Sequence, residues 1–107
     1  MNSNDDILDE QARLLSAFAN TKRLRILELL LDNEFRVGDL AKEVDLSQSA
    51  LSQHLALLRG DGLVSTRREA QTIYYTTSDQ RVRTVLNALR DLHSEWKPIA
   101  LRRNRLA

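Results

Sequence analysis

The stretch that most constrains this chain is residues 46–59, LSQSALSQHLALLR, which reads as a helix with both ends fixed by local chemistry. Ser47 can accept a hydrogen bond from an otherwise unpaired amide of the first turn, and Leu46 and Leu51 occupy the two positions whose contact makes a hydrophobic staple. Beyond the far end, Gly62 can take the left-handed conformation that closes a helix, which turns Leu63 back onto Leu58 as in a Schellman motif. The start, the stop and the entry angle of this rod are therefore set before any long-range contact forms.

Its two faces differ in kind. Leu51, Leu55 and Leu58 recur at helical spacing on one side, while Gln48, Ser49, Ser52, Gln53 and His54 gather on the other with no acid among them. A face that merely meets water would carry Lys and Glu, which are better helix formers. Gln and Ser both donate and accept hydrogen bonds, which suits base edges in a duplex major groove, Gln matching the paired donor and acceptor of adenine.

The flanking segments give this helix a context. Residues 5–18 hold Ile7, Leu8, Leu14, Leu15 and Phe18 at a helical period. Asn20 is placed to cap a second helix, KRLRILELLLD, whose Leu24, Leu27 and Leu31 form a stripe with Ile26 and Leu30 beside it. That helix is apolar enough to centre the core. Asp32 to Arg36 reads as a connection and Val37 to Val44 as a short third helix. After Gly62, Leu63 to Arg68 and Thr72 to Thr77 are rich in β-branched and aromatic residues and read as a β-hairpin around Glu69, Ala70 and Gln71. With no Gly or Asn-Gly there, the expected tip is longer and more mobile than a two-residue turn. Residues 79–96 return to helical spacing, and Pro98 should stop that helix.

The order is helix, helix, short helix, tight turn, helix, hairpin, helix: a mainly α fold with a β-hairpin wing, a winged helix-turn-helix. At 107 residues the chain supports one core, so residues 1–107 are expected to form a single domain, with terminal helices at 5–18 and 79–96 and a basic tail at 97–107. Helices two to four already close such a core. The apolar stripes of the terminal helices are then surplus, and Leu8, Leu15, Val82, Val85, Leu86, Leu89, Leu92 and Trp96 are the expected interface of a homodimer.

Composition narrows the chemistry. There is no cysteine, which excludes disulfides, thiolate metal ligands and thiol redox switching. No apolar run approaches the roughly 20 residues of a membrane helix, and the acidic DDILDE is unlike a signal peptide, so the expectation is a cytoplasmic protein with no membrane partner. The net charge of +1 hides an asymmetry: residues 1–12 carry four acids and no base, while the remainder carries 16 bases against 11 acids. A basic face is thus permitted. Ser52 and His54 do not make a hydrolase, because neighbours two apart on a helix point in different directions and no third group orients the imidazole.

The runs NTKRLRILELL, VGDLAKEVDLSQSALSQHLALLRGDGLV and STRREAQTIYY, from Asn20 to Tyr75, resemble the ArsR/SmtB winged-helix repressors. The resemblance implies a homodimer that joins through its first and last helices and binds a pseudo-palindromic DNA operator to block transcription. Carried over by position, Ser47, Gln48, Ser49, Ser52, Gln53 and His54 correspond to the DNA-contacting part of the recognition helix, and Arg67, Arg68 and Gln71 to contacts of the wing. Asp45 stands where many members have Gly, and Thr21 where Pro is frequent. The family's metal sensors often carry C-V-C where this chain has Arg36-Val37-Gly38, and a second metal site would need ligands at Asp79, Arg81, Leu92 and Glu95. Two carboxylates without an imidazole make a poor zinc site, and His93 misses the register by one residue. No metal and no cofactor are expected. Two other readings stay open: a winged-helix module that binds another protein, and a repressor switched by a small molecule at the dimer interface.

Overall fold

The computed structural model describes residues 3–95, and its helices begin and end where side chains can close them. α1 (Ser3–Phe18) and α2 (Thr21–Leu30) meet at Asn20, whose side-chain oxygen accepts the Arg23 amide at 3.0 Å. The chain continues through β1 (Phe35–Arg36), α3 (Val37–Val44), α4 (Gln48–Gly60), β2 (Ser65–Glu69), β3 (Thr72–Thr76) and α5 (Gln80–Glu95). Between α3 and α4, Asp45 takes the left-handed conformation at φ 55° and ψ 53°, and the Leu46 amide reaches back to the Ala41 carbonyl at 3.0 Å. Asp tolerates that geometry better than most residues, so glycine is dispensable in this turn. Ser47 caps α4 by accepting the Ala50 amide at 3.1 Å. At the other end Gly62, at φ 73°, donates to Arg59 O while Leu63 donates to Leu58 O, which is the Schellman pattern.

Two expectations are corrected in the sheet. Asp32 to Arg36 is more than a connection: Asp32 turns the chain at φ 61°, and Phe35 and Arg36 then pair antiparallel with Tyr75 and Tyr74. The wing is therefore part of a three-stranded sheet ordered β1-β3-β2. Two residues of pairing are too few to leave an alternating pattern in sequence. The hairpin tip is also shorter than expected, since Glu69 pairs with Thr72 and leaves only Ala70 and Gln71 between the strands. Ala70 supplies the positive φ of 55° that primed turns need, at a cost of about 1–2 kcal/mol for an L side chain. Five consecutive cross-strand pairs, with Tyr75 packed on the core, outweigh that local preference.

The core gathers Ile26, Leu27 and Leu30 of α2, Leu40, Ala41 and Val44 of α3, Leu51, Leu55 and Leu58 of α4, and Leu63 and Val64 leading into β2. Thr77 is buried with its groups satisfied: its amide donates to Leu30 O at 3.0 Å and its hydroxyl accepts the Asp79 amide at 3.2 Å. The terminal helices touch this core only partly. α1 buries Ala17 and Phe18 in its last turn, with Leu14 packed at the margin, and α5 buries Val82 and Leu86 in its first half. Val82 and Leu86, expected at a dimer interface, are 0% and 2% exposed inside their own subunit, so no partner can reach them. Val85 is half-buried against the same core. Leu8 and Leu15 are each 59% exposed, with Ile7, Leu89 and Leu92 also open. Trp96, Pro98 and the basic tail lie outside the described residues.

Candidate nucleic-acid interface

α4 separates its two faces as its sequence requires. Leu51, Leu55 and Leu58 are buried, and this back anchors the helix so that Ser47, Gln48, Ser49, Ser52 and Gln53 stand exposed on the outer side of its first turns. The Gln48 side chain lies back toward α3, where a Cβ added at Gly38 would sit 3.6 Å from its Nε2. The free amides of the α4 amino end add the positive pole of the helix dipole to this surface. Among the described residues no carboxylate lies on these first turns, which suits an approach to the phosphates of nucleic acid.

His54 departs from the others. It is half-buried on the side of α4 that faces α2, with Nδ1 3.5 Å from Arg23 Nη1. Burial, and then the neighbouring guanidinium, push its imidazole below the ordinary histidine value. Arg23 itself closes the carboxyl end of α1, donating to Ala17 O at 2.8 Å and Ser16 O at 3.1 Å. One arginine thus joins α1, α2 and α4. Lys22 similarly donates to Val44 O at 2.6 Å and holds the end of α3. Neither role was legible in the sequence: His54 and Val44 lie 31 and 22 positions from their partners, and the carbonyls of Ala17 and Ser16 are backbone groups that no residue type marks.

The wing arginines differ sharply. Arg67 forks onto Glu34, with Nε to Oε2 at 2.6 Å and Nη2 to Oε1 at 3.0 Å, and gives a third bond to Glu69 Oε2 at 3.0 Å. Its guanidinium also lies 4.6 Å from the centre of the Tyr74 ring. The Arg67 hydrogen bonds hold the Glu34 carboxyl below its usual range and raise the guanidinium further. Arg67, carried over as a wing contact, is thus already paired with two carboxylates. Arg68 points to the opposite face of the strand and, among the described residues, has no ion-pair partner. Gln71 is exposed at the tip. Of the four positions carried over from the family's second metal site, Asp79 is taken up by Arg81, whose Nη2 reaches Oδ2 at 2.8 Å.

Residues 20–66 match the sequence profile of the family described as bacterial regulatory protein, arsR family. The chain is 56% identical over 82 residues to the transcriptional activator HlyU of Vibrio cholerae, covering 77% of this chain and 76% of HlyU. The chain belongs to the arsR family of bacterial regulatory proteins. Its fold agrees with that of NolR from Sinorhizobium fredii at a TM-score of 0.84 and 50% identity, covering 87% of this chain and 93% of NolR. It also matches, at a TM-score of 0.78 and 30% identity, the homodimeric winged helix-turn-helix DNA-binding domain Mb0332 of Mycobacterium bovis, covering 89% of this chain and 88% of that one. As an arsR-family member the chain is a winged helix-turn-helix transcriptional regulator and not an enzyme.

Proposed function

We propose that the protein works as a homodimer in the cytoplasm, placing two copies of α4 in successive major grooves of a pseudo-palindromic operator about 34 Å apart. One observation carries this reading: α4 turns an acid-free face of Gln48, Ser49, Ser52 and Gln53 to solvent while its leucine back is locked into the core. The two glutamines would read base edges. Ser47 and the amino end of α4 would sit against a phosphate, and the wing would reach backbone further along with Arg68 and Gln71. Dimerisation is supported by Ile7, Leu8, Leu15, Leu89 and Leu92, five large apolar side chains left open on the two terminal helices. Trp96 extends the same stripe in sequence.

Occupying an operator in this way would exclude polymerase from an overlapping promoter, which makes repression the expected output. HlyU is named an activator, so operator position relative to the promoter, and not the fold, would set the sign. Selecting bound duplexes from a randomised pool and titrating them by fluorescence anisotropy at stated salt tests the reading. A selected sequence with two related half-sites one helical turn apart is the expected result. Failure to enrich any sequence above mixed DNA would favour a protein-binding module. A regulator switched by a small molecule has one structural feature in its favour, an open groove of about 550 Å³ between α2 and α5 lined by Leu24, Leu86, Leu89 and His93.

A further inference from the structure

We propose that Glu34 is a positioning residue for DNA binding: it clasps Arg67 across the sheet, fixes the angle of the wing to the helix-turn-helix, and leaves Arg68 as the wing's phosphate ligand. This deepens the DNA-binding reading above and rests on it.

The geometry is that of a clasp. Glu34 stands immediately before β1, which leads directly into α3, whereas Arg67 lies on β2 at the opposite edge of the three-stranded sheet. The central strand places Tyr74 beside both Arg36 and Arg67, so the Glu34–Arg67 pair spans the sheet from edge to edge over the Tyr74 ring. β1 contributes only two residues of pairing to hold the wing against the helices. A planar fork that fits a carboxylate at two points adds the angular restraint which so short a strand lacks.

The same contacts take Arg67 out of competition for phosphate. Three of its five N–H donors are engaged, and one guanidinium between the carboxylates of Glu34 and Glu69 leaves a local charge of the wrong sign for DNA. Arg68 pairs with Ile73 on the other face, which also carries Thr66 and the core-packed Tyr75. It therefore projects on the face of the sheet that packs against the helices, opposite the face that holds Arg67.

The test measures binding of wild type, Glu34→Gln, Arg67→Lys and Arg68→Gln to the duplex that wild type selects from a randomised pool, across a salt series. Circular dichroism checks folding, which the exposed positions of all three residues favour. Lysine keeps a point charge for a phosphate but cannot fork onto a carboxylate, so it separates the two roles of Arg67. The clasp predicts that Glu34→Gln and Arg67→Lys weaken binding alike, several-fold, with the salt slope unchanged. Arg68→Gln should instead reduce that slope by about 0.9 per subunit, the loss of one phosphate contact. Tighter binding with a steeper slope in Glu34→Gln, and wild-type binding in Arg67→Lys, would make Arg67 a masked phosphate ligand and overturn the proposal. Unaltered binding in Glu34→Gln would remove the clasp alone, whereas no selection by wild type would remove the DNA-binding reading and the clasp together.

Discussion

Ser47 performs one task in the free protein and is proposed to perform another on DNA, and two substitutions separate them. Its hydroxyl accepts the Ala50 amide at 3.1 Å, so Ser47→Ala leaves an amide of the first turn of α4 without its protein partner. Losing such a cap costs about 1 kcal/mol, within a range of roughly 0.5–2, equivalent to about 4–8 °C in melting temperature for a domain near this size. Ser47→Asp keeps the acceptor and adds a charge that favours the positive end of the helix dipole by about 0.3–1 kcal/mol, so it should melt at or above wild type. On DNA the order reverses. A carboxylate held about 5 Å from a phosphate is repelled by roughly 1–3 kcal/mol at effective dielectric constants between about 80 and 20, and a dimer suffers this twice. Ser47→Asp should therefore bind operator at least about tenfold more weakly than wild type, and more weakly than Ser47→Ala. Thermal unfolding at fixed protomer concentration and anisotropy titrations at one salt concentration give the two readouts. If Ser47→Asp melts as low as Ser47→Ala, the side chain is not capping α4. If it binds DNA as wild type does, the amino end of α4 does not approach a phosphate.

Other consequences follow from the same structure. Leu15→Glu or Leu89→Glu places a charge on a side chain open in the subunit, so the fold should survive while sedimentation shows monomer; at roughly 1.5–3 kcal/mol per buried leucine, the dimer should weaken at least about tenfold. A dimer of unchanged strength in both variants would put the interface elsewhere. Ala70→Gly relieves the positive φ at the hairpin tip and should stabilise by about 0.5–1 kcal/mol after the added freedom of the unfolded chain is counted, read as a shift in urea midpoint at constant slope. The depressed value of His54 means that the unfolded chain binds its proton first, so stability is full above the ordinary value of 6.5 and declines as pH falls from there toward the folded value. His54→Gln should melt with less dependence on pH across that window, and an equal dependence would show that the imidazole is not disfavoured as a cation. Asp32, Glu34 and Asp79, whose carboxyls are held low by arginine partners, act only at more acid pH and leave that window clear.

What was legible in the sequence is what neighbouring residues decide. Asn20, Ser47 and Gly62 each close a helix end through groups within five positions of themselves, so their residue types alone identified the start of α2 and both ends of α4, while the turn at Asp45 was marked by the family resemblance. The two faces of α4 were equally plain, because burial follows its 3.6-residue period. The misses concern partners far apart in the chain. The strand at Phe35 exists only through Tyr74 and Tyr75, and the commitment of Arg67 depends on Glu34, 33 positions away. On α5, Val82 and Leu86 share the period of Leu89 and Leu92, yet the core ends between the two pairs. Periodicity shows which side of a helix is apolar, and only the packing shows how far along that side its own subunit reaches.

The central claim is that the outer face of α4 reads bases. It is tested most directly by measuring Gln48→Ala and Gln53→Ala on the selected operator and on mixed-sequence duplex at the same salt. Each substitution should cost about 1–3 kcal/mol per half-site on the operator and far less on mixed DNA, with melting temperatures near wild type. Equal losses on both duplexes would assign these side chains to the phosphate backbone and contradict the account.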